Sequence, residues 1–176
     1  DFTLNRPNTL GLDGWLELAA RCGDDLDKIQ PGLKQRVAEE CAYLRANWPA
    51  DLDKSVIHAD LFPDNVLMAG DTVCAVIDFY FACNDALAYD LAICLNAWCF
   101  ETDHSYNVTK GRSLLTSYIK TRPLSDAERD ALPLLARGAA MRFLLTRLVD
   151  WLNVPAGALV QPKDPLEYFR KLRFHQ

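Results

Sequence analysis

Five side chains able to act on a substrate or a metal ion lie close together in the sequence, between residues 56 and 81. They are His58, Asp60, Asp64, Asn65 and Asp78, and short apolar runs separate them. We expect these polar groups at the ends of short strands and on the loop between them. Such a frame holds carboxylates rigidly while their oxygens stay open to a ligand, which a metal-assisted transfer reaction requires.

Each of these residues, taken alone, also has a structural interpretation. Asp and Asn are common in loops because their side chains cap nearby backbone groups, and a lone His58 is typical of a satisfied turn residue. The combined pattern favours chemistry. If each position has about a one-in-twenty chance, the pattern arises on the order of once in a thousand chains of this length.

The surrounding sequence predicts mostly helices. Apolar residues recur at helical spacing in the first 50 residues and again from Leu87 to the end, whereas three β-branched runs lie between them, with a tight-turn signal at Gly70-Asp71. The predicted fold class is therefore mainly α with a small β-hairpin. We predict helices at 12–22, 32–48, 88–99, 108–121 and 133–153, a short helix from Ser125, a last helix after Pro165, and strands at 55–58, 65–68 and 72–79.

Individual residues predict where several of these helices begin. Pro31 is expected at the first position of the second helix, because its fixed φ suits a helix start. Asn107 is expected to cap the helix that follows it, and Ser125 with Glu128 has the spacing of a capping box.

Composition excludes several classes of protein. The chain has 176 residues, half of them apolar, which is enough for one sizeable core. Its formal net charge of −5 and its lack of a basic run argue against nucleic acid as a partner. No apolar segment reaches the ~18 residues of a membrane-spanning helix. Six scattered cysteines without a C-x-x-C pair suit a reducing cytosol, so we expect a cytoplasmic protein that does not bind membranes.

The polar stretch is similar to the catalytic segments of kinases. Residues 58–65, HADLFPDN, resemble the catalytic loop H-R-D-L-x-x-x-N, and residues 78–80, DFY, resemble the metal-binding D-F-G motif. Alanine in place of arginine, with Tyr-Asp-Leu-Ala at 89–92, resembles the aminoglycoside phosphotransferase-like (choline kinase-like) small-molecule kinases. Within that superfamily, HADLFPDNVL, IDFYFACND and YDLAICLNAWCF resemble the homoserine kinase family of the bacterial threonine pathway.

The resemblance implies a protein kinase-like fold and a role for each matching residue. Asp60 corresponds to the catalytic aspartate, which accepts or orients the proton of the substrate hydroxyl. Asn65 and Asp78 correspond to the ligands of Mg²⁺, which bridges the phosphates of ATP. His58 corresponds to the histidine under the catalytic loop, where it organises the loop or transfers a proton. Asp90 corresponds to an aspartate that caps the next helix or braces the catalytic loop.

The implied substrate is L-homoserine, whose zwitterion requires a cation near its carboxylate and an anion near its ammonium group. Arg142 and Arg147 are candidates for the first contact, and Asp64 and Asp85 for the second. Both arginines have an alternative role as structural partners of nearby carboxylates.

The resemblance also implies a second lobe, with a phosphate-covering loop and a nucleotide-binding lysine, that precedes the catalytic loop. The sequence before residue 55 contains neither feature and begins with Asp1. We therefore expect residues 1–176 to be the C-terminal catalytic and substrate-binding lobe, inactive by itself, with the N-terminal lobe of the same protein as its partner. Two alternatives stay open: a kinase for choline, ethanolamine, methylthioribose or an aminoglycoside, and a non-catalytic domain that keeps the fold.

Overall fold

The computed structural model of the chain describes residues 5–155, 157–159 and 162–176. These residues form two compact units, one containing residues 5–8 and 49–139 and the other containing the described residues of 9–48 and 140–176. The helices are α1 (Leu12–Cys22), α2 (Leu26–Ile29), α3 (Leu33–Asn47), α4 (Leu87–Trp98), α5 (Val108–Thr121), α6 (Asp126–Leu152) and α7 (Pro165–Phe174). The strands are β1 (Lys54–Ile57), β2 (Val66–Ala69), β3 (Thr72–Val76) and β4 (Cys83–Ala86), and 3-10 turns lie at Gly23–Asp25, Pro63–Asn65 and Phe79–Phe81.

The first unit contains the predicted hairpin. Strands β2 and β3 pair in antiparallel register, with Val66 opposite Val76, and the two-residue turn has Gly70 at a φ of +59°. Glycine suits this position because it adopts positive φ without steric cost. The third strand was predicted to reach residue 79, but β3 ends at Val76. Asp78 has left-handed backbone angles and a 3-10 turn begins at Phe79.

A second sheet was not predicted from the sequence. Strand β1 pairs with β4 in antiparallel register, with Ile57 opposite Cys83, and Pro7 forms an isolated bridge to Asn84. The sequence of β4 is Cys-Asn-Asp-Ala, and Asn and Asp are depleted in strands. Its long-range contacts, with β1 on one side and with Arg6 and Pro7 on the other, make this segment extended.

Helix α4 follows β4 directly and supplies much of the core of this unit. Ala88, Tyr89, Leu91 and Ile93 are among its buried residues. The prediction that Asp90 is the N-cap was wrong, because α4 begins at Leu87 and places Asp90 within its first turn. The caps predicted at Asn107 and Ser125 were confirmed, since the side chain of each accepts a hydrogen bond from a backbone N–H three residues later.

Helix α6 is continuous where the sequence predicted two helices. It runs for 27 residues with Pro133 inside it. Proline lacks the N–H that would bond the carbonyl four residues earlier, but the buried side chains beyond it hold the helix together. Leu135, Ala139 and Leu144 are fully buried, as the apolar sequence of 133–153 predicts. The helix begins in the first unit and ends in the second.

The second unit contains α1 to α3, the end of α6, and α7. Helix α1 has its predicted bounds, whereas α3 begins at Leu33 after Gly32, which has a φ of +77°, so Pro31 lies before the helix and not within it. Trp15 is almost completely buried, and its indole N–H donates to the Leu10 carbonyl at 2.7 Å. This contact fixes the start of α1.

Three charged side chains join the end of α6 to α7 in this unit. The Glu167 carboxylate lies 2.6 Å from Arg147 and 2.7 Å from Lys171. Burial raises the pKa of Glu167, but hydrogen bonds from Lys171 and Arg147 and the charges of both outweigh it, and the pKa falls to about 2. Burial lowers the pKa of Lys171, against the opposing effect of its hydrogen bond to Glu167.

We expect this cluster to make stability depend on pH. The Glu167 pKa is lower in the folded chain than its ordinary value of 4.5, so its stabilising effect is complete above that value and is lost as pH falls towards 2. Glu167→Gln in the full-length protein should lower the thermal unfolding midpoint at pH 7, and its difference from wild type should shrink as pH falls towards 2. Glu17→Gln, at an exposed site on α1, is the control. A difference independent of pH would contradict this account.

None of the helices among the described residues is both long enough and apolar enough to cross a membrane.

Candidate active site

The loop after β1 carries the predicted catalytic aspartate. It includes Ala59, which is buried and has a φ of +63°. Left-handed geometry costs a non-glycine residue about 1 to 2 kcal/mol, so the surrounding structure must impose it. The carboxylate of Asp90 does so by accepting hydrogen bonds from the backbone N–H groups of His58 at 3.0 Å and Ala59 at 2.8 Å. The predicted bracing role of Asp90 is confirmed by these contacts.

The His58 ring connects this loop to the segment before Asp78. Its Nδ1 atom accepts a hydrogen bond from the backbone N–H of Asp60 at 3.2 Å, so the proton resides on Nε2. Nε2 then donates to the carbonyl oxygen of Ile77 at 2.9 Å. Both ring nitrogens are engaged by backbone groups next to the two key aspartates, which favours the organising role over proton transfer.

Asn65 contacts the loop of Asp60 through its side chain. Its Nδ2 donates to the Asp60 carbonyl at 2.8 Å and lies 3.3 Å from the Asp60 carboxylate oxygen Oδ2. The backbone carbonyl of Asn65 accepts a hydrogen bond from the backbone N–H of Ile77 at 3.0 Å. Nδ2 makes both contacts with Asp60, so the other end of the side-chain amide is the oxygen Oδ1. No described residue donates a hydrogen bond to this oxygen.

Asp78 differs from the other acidic residues of this region. Its backbone has φ and ψ of +63° and +59°, the left-handed region, and the residue is exposed. Within the described parts of the chain, its carboxylate accepts no hydrogen bond and joins no ion pair. Backbone strain at a fixed position is often found at sites that bind ligands. Ile77, the preceding residue, is bonded to both His58 and Asn65 and thus fixes Asp78 beside them.

The charge of the region suits a cation. Residues 55–109 contain no lysine or arginine and eight acidic residues: Asp60, Asp64, Asp71, Asp78, Asp85, Asp90, Glu101 and Asp103. One carboxylate and one amide oxygen match the hard donors that Mg²⁺ prefers, since Mg²⁺ uses one or two protein ligands together with phosphates and water. The residues present therefore fit a magnesium ion.

The four predicted substrate contacts lie in different surroundings. Asp64 is exposed in the 3-10 turn that also contains Asn65. Asp85 accepts hydrogen bonds from the side chain of Asn8 at 2.7 Å and from the Ala86 N–H at 2.8 Å. Arg147 belongs to the Glu167 cluster, which supports the structural alternative for this residue. Arg142 is buried on α6, with its guanidinium 4.4 Å from the centre of the Phe143 ring.

Three hydrogen bonds of this site were not predicted from the sequence. The backbone of Ile77 bonds to both His58 and Asn65, and no residue-type pattern predicts a backbone contact. Trp98, the last residue of α4, donates its indole N–H to the Leu61 carbonyl at 2.8 Å. The spacing of Asp90, Cys94 and Trp98 places them on one face of a helix and was a signal that could have identified this contact.

The profile of the phosphotransferase enzyme family (APH) matches residues 2–127. The chain belongs to this phosphotransferase family. A solved phosphotransferase, aminoglycoside-3'-phosphotransferase of type VIII, has a similar structure, with a TM-score of 0.56 and 25% identity over 76% of this chain and 52% of that one. The predicted kinase-like fold class, mainly α with a small β-hairpin, is confirmed by this similarity, and the structure adds a second small antiparallel sheet.

Curated relatives are more similar to this chain in sequence than the solved structure is. A homoserine kinase of Afipia carboxidovorans is 65% identical over all 176 residues, and one of Agrobacterium fabrum is 60% identical over 175 residues. A homoserine kinase of Xanthobacter autotrophicus is 62% identical over the whole chain. These alignments cover 54%, 54% and 55% of the respective relatives. The chain thus spans about half the length of the curated relatives it matches.

Proposed function

We propose that this chain carries the catalytic centre of a homoserine kinase, which transfers the γ-phosphoryl group of ATP to the hydroxyl of L-homoserine. The products are ADP and O-phospho-L-homoserine. One observation carries the choice of substrate: relatives named homoserine kinase are 60 to 65% identical to this chain along its whole length. The contacts among Asp60, Asn65 and the segment before Asp78 support the chemistry independently.

Asp60 is proposed to accept or orient the proton of the homoserine hydroxyl. A carboxylate does this when it is held in one orientation within reach of the hydroxyl. Asp60 meets the first condition, because its backbone N–H is bonded to His58 and its carbonyl and carboxylate oxygens contact Asn65. His58 acts on the reaction through Asp60 and is a positioning residue in this proposal.

Asn65 and Asp78 are proposed to hold Mg²⁺ with the phosphates of ATP. The ion would neutralise the charge of the phosphates and of the acidic residues around Asp60. The side chain of Asn65 serves two purposes in this arrangement, because its NH₂ group fixes Asp60 while its oxygen is left to the cation. Asp78 contributes a carboxylate that no described residue neutralises.

Substrate contacts at Asp64, Asp85, Arg142 and Arg147 stay predictions. Asp64 has the strongest support of the four, because it is exposed next to Asn65. Its negative charge would complement the ammonium group of homoserine. Asp85 and Arg147 are already engaged with Asn8 and Glu167, so a substrate would compete with those partners.

The proposal includes an N-terminal lobe of the same protein as the partner of this chain. Large apolar side chains near the site support it, because exposed apolar surface marks interaction sites. These side chains are Val56, Leu67, Met68, Val73, Val76, Ile77, Phe79 and Tyr80, which are 36 to 71% exposed. We place the reaction in the cytoplasm, a location that suits six free cysteines.

The test is ADP release by the full-length protein with a panel of alcohols: L-homoserine, choline, ethanolamine, methylthioribose and an aminoglycoside. We expect kcat/KM for L-homoserine to exceed that for every other alcohol by at least about 100-fold, because a site that hydrogen-bonds its substrate rejects analogues lacking those groups. A preference for an aminoglycoside would instead match the solved structural relative. ADP release with none of the alcohols would favour the non-catalytic alternative.

A further inference from the structure

One face of α4 contacts the catalytic loop along its length. Asp90, Cys94 and Trp98 are four residues apart and therefore lie in one row on the helix. Asp90 bonds the backbone N–H groups of His58 and Ala59 on one side of Asp60, as described above. The other two residues reach the carbonyl oxygen of Leu61 on the other side of Asp60.

The contact at Leu61 has the geometry of a full hydrogen bond. The half-buried Trp98 donates its indole N–H to the Leu61 carbonyl at 2.8 Å, within the normal range for such bonds. The Cys94 sulfur lies 3.9 Å from the same oxygen. Burial raises the pKa of the Cys94 thiol to about 12, with Asp90 and Cys99 adding to the shift, so the sulfur keeps its proton at neutral pH and can donate weakly.

Asp60 is thus held on both sides by the same helix. The N–H groups of the two residues before it are bonded to the Asp90 carboxylate in the first turn of α4. The carbonyl of the residue after it is bonded to the Trp98 indole at the end of α4. A loop with a left-handed residue at Ala59 is under strain, so it needs more than one contact to keep a single conformation. The Asp60 carbonyl accepts hydrogen bonds from Asn65 Nδ2 and from the Phe62 N–H, each at 2.8 Å, and Trp98 adds an anchor one residue further along, at the Leu61 carbonyl.

We propose that Trp98 is a positioning residue for phosphoryl transfer: its indole N–H fixes the Leu61–Phe62 peptide, one residue beyond Asp60, and so helps to aim the Asp60 carboxylate at the substrate hydroxyl. The inference rests on the proposed kinase function. It concerns the orientation of Asp60 and not the affinity for either substrate. Loss of the N–H should therefore lower kcat and leave KM for ATP and homoserine nearly unchanged.

The test compares Trp98→Phe with Trp15→Phe in the full-length protein. Each substitution keeps an aromatic ring and removes one indole N–H that donates to a backbone carbonyl, at 2.8 Å for Trp98 and 2.7 Å for Trp15. Trp15 lies in the second unit and its partner is Leu10, so it serves as the matched control. We expect about a tenfold fall in kcat for Trp98→Phe, as for a slightly displaced catalytic group, and no fall for Trp15→Phe.

Amide hydrogen exchange provides a readout that does not depend on activity. In Trp98→Phe, the backbone amides from Ala59 to Phe62 should exchange faster than in wild type, whereas Trp15→Phe should leave them unchanged. Unchanged exchange at these amides, or a kcat within about twofold of an active wild type, would overturn the inference. A wild-type protein without homoserine kinase activity would overturn the proposed function, and the exchange measurement would still decide whether Trp98 fixes the loop.

Discussion

Replacing Asp60 with asparagine in the full-length protein should lower kcat for homoserine phosphorylation by at least ~100-fold, the usual effect of losing a positioned acid-base group. Asparagine keeps the shape of the side chain and an oxygen that can accept the hydrogen bond from Asn65. The fold and the loop should therefore stay intact, with a thermal unfolding midpoint close to that of wild type. Measurement of kcat and KM by ADP release tests this expectation.

Asp71→Asn is the control for this substitution. Asp71 lies in the exposed turn between β2 and β3 and undergoes the same loss of charge away from the catalytic loop. The kcat of Asp71→Asn should match that of wild type. A fall in kcat seen only in Asp60→Asn would then be due to the position of Asp60 and not to the loss of one negative charge. A near-normal kcat for Asp60→Asn would show that Asp60 is not the catalytic aspartate.

Replacing Asp78 with asparagine should also reduce kcat by at least ~100-fold at ordinary Mg²⁺ concentrations, because a metal ligand loses its charge. Asparagine tolerates the left-handed backbone at this position better than most residues, so the 3-10 turn should be kept. Higher Mg²⁺ should recover part of the activity of this variant. The same addition should recover none in Asp60→Asn, since that variant retains its metal ligands.

The Mg²⁺ dependence of ADP release measures this difference. The two variants lose an aspartate from neighbouring segments of one site, so each is a control for the other. Equal responses of both to Mg²⁺ would show that Asp78 has no specific part in metal binding.

Local sequence signals were sufficient for much of the fold. Helices α1 and α5 have the predicted bounds, and the β2–β3 hairpin has its predicted turn although β3 ends earlier than predicted, because apolar spacing and turn residues are local signals. Strand β4 was missed because its extended form depends on pairing with β1, about thirty residues away in sequence. Helix α6 was divided at Pro133 because proline disfavours helix interiors, whereas burial of the flanking turns outweighs that local cost.

The site shows the same division between local and long-range information. The sequence predicts Asp60, Asn65 and Asp78 as site residues, because their types and spacing are visible directly. It did not show that Ile77 joins His58 to Asn65, because a backbone contact leaves no trace in residue type. The sequence predicted Arg147 as a candidate substrate contact, whereas the structure pairs this arginine with Glu167. Glu167 lies twenty residues further along the chain, and no spacing rule predicts such a pair.

The most direct test of the central claim is the affinity of the full-length protein for Mn²⁺ in the presence of ADP, measured by electron paramagnetic resonance of the free ion. Mn²⁺ accepts the same oxygen ligands as Mg²⁺. If Asn65 and Asp78 bind one ion beside Asp60, then Asn65→Ala and Asp78→Asn should each weaken Mn²⁺ binding at least about tenfold, as loss of a ligand predicts. Wild-type affinity in either variant would show that these two side chains do not share a metal ion.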